Sequence, residues 1–223
     1  METWLTYSPQ DFLLFSERVY WRLFELHNGE LWPAQIPALL AGLAIPVLLI
    51  RQRGWSGLGV AALLALAWAV AGLTFLPRYA EINWLAGDLF PAFLAQTALL
   101  AVLGVAMRGL DGRPNGVRRW IGAALCLYGV IAPPLAALSA GRGLAGVEVF
   151  ALTPDPTAIV TLGAVAAVGR GWPALALAVV PALWCLASWA TLATLGTAQA
   201  WLFAPVALAL LVVAAGSRLH RDG

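Results

Sequence analysis

Residues 172–195 read WPALALAVVPALWCLASWATLATL, 24 positions without one charged side chain. A bilayer-spanning helix needs roughly 20 predominantly apolar residues, so this stretch reads as a transmembrane helix. Working outward, six more apolar runs appear at 31–50, 55–76, 89–107, 120–140, 157–168 and 198–216. Of the 223 residues, 61% are hydrophobic, a supply that caps the count near seven spans. Charged residues number only 13 basic and 11 acidic, a net of +2. Soluble domains are about half apolar and a quarter charged, so that class is excluded. A disordered chain and a nucleic-acid binder are excluded too, because no basic excess exists to neutralise phosphates.

All 13 basic residues are arginine, and there is no lysine. That absence removes P-loop, Schiff-base and Ser–Lys chemistry, and with them a covalent retinal. The arginines also orient the chain. With the N-terminus outside, the inner connections hold Arg51, Arg53, Arg108, Arg113, Arg118, Arg119, Arg170, Arg218 and Arg221. The outer ones hold only Arg18, Arg22, Arg78 and Arg142. The positive-inside rule therefore places the N-terminus outside and the C-terminus inside. Trp32 and Trp84 then fall at outer boundaries and Trp55, Trp120 and Trp172 at inner ones, as an aromatic belt requires. Trp68, Trp184 and Trp189 fall in mid-span and read as packing residues.

The expected fold is an all-α polytopic membrane protein. It has an N-terminal helix (1–30) followed by a seven-helix transmembrane domain (31–223). The N-terminal helix is expected over 9–27, with Ser8 as its cap and Pro9 in its first turn. Phe12, Leu13, Phe15, Val19, Leu23 and Leu26 recur at helical spacing opposite Glu17, Arg18 and Glu25. Such a helix lies on the outer membrane face, packs over the bundle, or docks a partner protein. No cleavable signal peptide is expected, since charges run through the first 30 residues.

The fifth run, 157–168, is too short. Its 12 residues give about 18 Å of helix against a hydrocarbon core of about 30 Å. Before it stand Val147-Glu148-Val149-Phe150-Ala151-Leu152 and Thr153-Pro154-Asp155-Pro156. Two prolines around an aspartate do not continue a helix. The preceding segment is then expected to enter the membrane as extended chain, with a half-helix restarting at Asp155, an arrangement found at transporter sites. Asp155 reads equally as an ordinary helix cap followed by Pro156. Gly163 and Ala167 leave one face of this helix small enough for close packing.

The candidate binding residues gather on the outer side: Glu81, Asp88, Glu148 and Asp155, with Arg78, Arg142 and Asn83 among them. One reading is a vestibule for a cation or amine, and the other a solvated face of loop ion pairs. Catalytic and metal-ligating sets are missing. His27 and His220 fall on opposite sides, which excludes a bis-His haem and a shared zinc ion. Cys126 and Cys185 have no CxxC neighbour and read as apolar filler. No cofactor is expected.

Several phrases resemble a bacterial integral membrane family of about this length, characterised only as a domain of unknown function. His27-Asn28-Gly29-Glu30-Leu31-Trp32-Pro33-Ala34-Gln35 resembles its Tyr-Asn-x-x-Val-Trp-Pro-x-Gln phrase. Ile82-Asn83 resembles its Ile-Asn-Pro. Arg142 and Thr153-Pro154-Asp155-Pro156-Thr157-Ala158-Ile159 resemble its Gly-His-x-Tyr-Pro and Pro-Cys-Pro-Thr-Thr-Ile phrases. The likeness runs from residue 12 to about 210 and implies a multi-pass protein of the bacterial inner membrane. The family pattern has a His late in span two, a His after span four and a Cys between the prolines. Here those places hold no His, Arg142 and Asp155, so any metal-ligand set implied by that pattern is lost in this chain.

Three functions fit these residues. The leading one is a permease-like protein for a small solute or cation, with its site at the broken fifth span. The second is a non-catalytic anchor or accessory subunit that holds a partner through the N-terminal helix. The third is a lipid- or quinone-linked enzyme, which would need Arg142, Glu148 and Asp155 in one place.

Overall fold

Apolar runs without strand alternation satisfy their backbone polar groups internally only as helices. The computed structural model describes residues 13–111 and 116–218, and all its regular elements are helical. They are α1 (Glu17–Leu31), α2 (Gln35–Arg51), α3 (Ser56–Ile82), α4 (Phe90–Leu99), α5 (Gly116–Ser139), α6 (Pro154–Val168), α7 (Gly171–Thr194) and α8 (Ala204–Arg218). A π-helical stretch, Leu100–Ala106, prolongs α4, and 3-10 turns precede α4, α6 and α8.

Five segments are long and apolar enough to cross a membrane: Ser56–Ile82, Trp84–Ala106, Gly116–Ser139, Gly171–Thr194 and Ala198–Ser217. The pair α1–α2, bent by 101°, makes a sixth if counted as one broken span. The outside of the bundle is apolar: Leu40, Leu66, Leu73, Leu135, Leu183, Leu186 and Leu211 are all exposed. A soluble monomer does not show so large an apolar surface, whereas a lipid-facing one does. Trp189 belongs to that exposed surface and is not the packing residue its mid-span position suggests.

α6 is the centre. All 15 of its residues are buried, and at about 22 Å it is shorter than the hydrocarbon core. Its closest neighbour is α5, and glycine makes the approach possible. A Cβ on Gly122 would stand 2.4 Å from Ala167 Cβ and 2.5 Å from the Gly163 carbonyl oxygen. One on Gly163 would stand 2.8 Å from the Cys126 nitrogen. The small face expected of Gly163 and Ala167 is therefore the α5 contact. Trp68 of α3 is fully buried on another side of α6 and donates from Nε1 to Thr161 Oγ1 at 2.9 Å.

Pro181 sits inside α7 and cannot donate to the Leu177 carbonyl one turn back. Gln96 of α4 fills that place, its Nε2 donating to Leu177 O at 3.0 Å. Gln96→Leu is expected to lower stability by about 1 kcal/mol, because the freed carbonyl loses its partner in an apolar interior. Thermal unfolding of the detergent-solubilised variant reads this. An unchanged midpoint would mean that the carbonyl finds another donor.

Three expected boundaries shift. The N-terminal helix begins at Glu17, not Pro9, and its cap is Ser16, whose Oγ accepts from Val19 N–H. Ser8 to Phe12 lie outside the described residues, while Leu13 and Phe15 precede the helix. α3 runs through Pro77 to Ile82 instead of ending at Leu76. α6 is capped by Thr153 with Pro154 in the first turn, so Asp155 lies inside the helix and is not its cap.

Candidate functional site

The end of the bundle that holds the α1–α2 bend also holds the connection from α5 to α6. That connection turns at Gly141 and Gly143, both with positive φ (76° and 69°), which glycine adopts without strain. It then runs extended from Val147 and closes a turn in which Leu152 and Thr153 both donate to the Val149 carbonyl. Residues 146–150 are all buried. Their backbone groups are met by side chains: Asn28 Nδ2 donates to Ala145 O at 2.8 Å and Val147 O at 2.7 Å. His27 Nε2 lies 2.9 Å from Leu152 O, and the Ala151 N–H donates to Thr157 Oγ1. α1 thus clamps an irregular, buried segment directly before the central half-helix. The segment directly before Pro154-Asp155-Pro156 is non-helical, as two prolines around an aspartate lead one to expect.

Three of the seven candidate residues meet there. Asp155 accepts from Trp184 Nε1 at 2.6 Å, and Ser188 Oγ lies 2.8 and 2.7 Å from its two oxygens. Glu148 is 1% exposed, and no donor group of another residue reaches its oxygens; its side-chain hydrogen-bond partner is the Asp155 carboxyl group. Arg142 NH2 stands 4.0 Å from Glu148 Oε1, an ion-pair distance beyond hydrogen-bond reach. The Arg142 guanidinium lies over the Trp21 ring at 3.5 Å, with Nε, NH1 and NH2 unpartnered. Tyr20 of α1 feels the charges of both carboxyl groups, and Tyr79 of α3 that of Asp155.

The other four lie elsewhere. Arg78 pairs with Glu30 across α3 and α1. Asn83 Oδ1 accepts from Leu85 N–H and starts the turn before α4. Glu81 and Asp88 are exposed, so for these two the solvated-face description applies. Glu148 and Asp155 are not part of such a face. Four partners of the cluster carried no sequence signal: Tyr20, Trp21, Trp184 and Ser188. Only the mid-span position of Trp184 and Ser188 set them apart, as polar atoms needing a partner in an apolar helix.

Several apolar helices long enough to cross a membrane, packed around a buried polar cluster, are those of a helical membrane protein by length and composition. Within that class the chain belongs to a family of unknown function (DUF6064), which matches residues 17–222. No curated protein and no solved structure matches the chain.

Proposed function

We propose that this is a permease-like protein of the bacterial inner membrane that carries a small solute or cation through a site at Glu148 and Asp155. In this reading the chain crosses the bilayer seven times, N-terminus outside. The buried segment 147–153 and the 22 Å helix α6 together make the fifth crossing. The observation that carries the reading is Glu148: a carboxyl group buried to 1% exposure, without a donor, beside a break in the central helix. Ionisable groups so placed in a membrane interior are costly and are kept for ion or solute pathways. A lipid- or quinone-linked enzyme needs the same residues open to a headgroup, whereas here α1 covers them.

Asp155→Asn tests this. Proteoliposomes holding the wild type are expected to move at least one of Na⁺, K⁺ or methylammonium down its gradient. The variant, still folded, is expected to lose that flux at least tenfold. Equal flux in both would end the reading. A second reading, an accessory subunit, rests on the exposed Leu14 just before α1 and the exposed Val19 and Leu26 on it. It predicts a stoichiometric partner after gentle solubilisation that Val19→Asp with Leu26→Asp releases.

A further inference from the structure

The cluster holds more acids than cations. Glu148 and Asp155 bring two carboxyl groups, and Arg142 brings one guanidinium. The other titratable groups facing them are Tyr20 on α1, Tyr79 on α3 and Cys185 on α7, neutral at ordinary pH, while the exposed Glu17 of α1 acts on Arg142 from outside the cluster. With both acids ionised, one negative charge is left over in a site shut off from water, where it is expensive.

The two acids are not equivalent. Asp155 receives Trp184 Nε1 and Ser188 Oγ and lies in the first turn of α6, where a helix favours negative charge. Those contacts favour its charged form over that of Glu148. Glu148 has no such donor: it faces the Asp155 carboxyl group, and its nearest cation is 4.0 Å away and stacked on Trp21. The surplus charge therefore falls on Glu148.

We propose that Glu148 is an exchange site holding either one proton or one monovalent cation, never both, with Asp155 as the fixed counter-charge. Either occupant cancels the single surplus charge. A divalent ion would overshoot it and meet the Arg142 guanidinium at close range. The available ligands are oxygens: the two carboxyl groups and the Ser188 and Tyr20 hydroxyls, a hard set suited to an alkali or alkylammonium ion. No group of three or more His, Cys, Asp or Glu that could hold a metal occurs among the described residues. The inference rests on the permease reading and deepens it, since competition at one carboxyl group is what couples cation movement to proton movement.

The test uses the full chain in detergent, with ionic strength held constant by N-methylglucamine chloride. Thermal unfolding is followed against NaCl and against methylammonium chloride at pH 6, 7 and 8. One of the two cations is expected to raise the unfolding temperature. Its half-saturating concentration is expected to rise about tenfold for each unit of pH lowered, as one displaced proton requires. Glu148→Gln, which keeps the side chain's size, is expected to fold and to lose the response at every pH. An equal response in Glu148→Gln, a response independent of pH, or none from either cation in the wild type overturns the proposal. Flux in proteoliposomes separates the two readings. Proton-competed binding without flux removes the permease and leaves the exchange site, and flux with pH-independent binding does the reverse.

Discussion

Gly122→Val should leave little folded protein in the membrane. Gly122 is where α5 lies against α6, and even a single methyl group there would meet Ala167 Cβ at 2.4 Å and the Gly163 carbonyl at 2.5 Å. Two of the obstacles, the carbonyl and Ala167 Cα at 2.7 Å, are backbone and cannot swing aside. Overpacking of this kind costs about 3 kcal/mol or more when the neighbours cannot relax. α6 carries Asp155 and touches the helices around it, so separating it from α5 dismantles the core as well as the site. Gly87→Ala is the control, because nothing lies within 4 Å of its added methyl. The variants are compared by monodispersity and unfolding temperature after solubilisation. Wild-type behaviour in Gly122→Val would mean that the α5–α6 contact is looser than its glycines imply.

Arg142→Leu is the second large effect, and it depends on pH. The substitution takes away the one guanidinium beside two buried carboxyl groups, and breaking such an arrangement costs about 3 kcal/mol or more. The sign follows from Glu148, which the substitution leaves buried without its cation. An acid raised in the folded state binds its proton more tightly there than in the unfolded chain. Its stabilising contribution is complete below the unfolded value of about 4.3 and is lost as pH rises through the folded one. Without Arg142 that loss becomes larger. The unfolding temperature of Arg142→Leu is therefore expected to fall as pH rises above about 4.3 and to approach wild type at the acidic end. Adding Glu148→Gln should flatten the profile. A pH-independent deficit would assign Arg142's role to its stacking on Trp21 alone.

The helices could be read from the sequence far better than the site could. Every apolar run became helix, because the need to satisfy backbone groups without water is met within each run by its own residues. The short fifth run and its Pro154-Asp155-Pro156 break likewise announced an irregular entry and a central half-helix. Boundaries moved where a residue not singled out took the cap position, Ser16 for α1 and Thr153 for α6. The acidic outer face was harder. Glu81, Asp88, Glu148 and Asp155 look alike in the sequence, yet two remain exposed and two are among the most buried polar groups of the chain.

The sequence by itself determined that the protein is helical and suited to lipid, because apolarity and the absence of charge over some 20 residues are local properties. It also determined where the central helix had to break, since proline acts on its own turn. Only the tertiary structure decided which charges meet. Trp184 reaches Asp155 across 29 positions and His27 reaches Leu152 across 125. Those meetings depend on the 101° bend that lays α1 over the bundle and on the return of the chain before α6. Nothing local encodes them, because the energy that fixes them belongs to the packed whole: glycine faces in contact, and buried polar groups obliged to find partners.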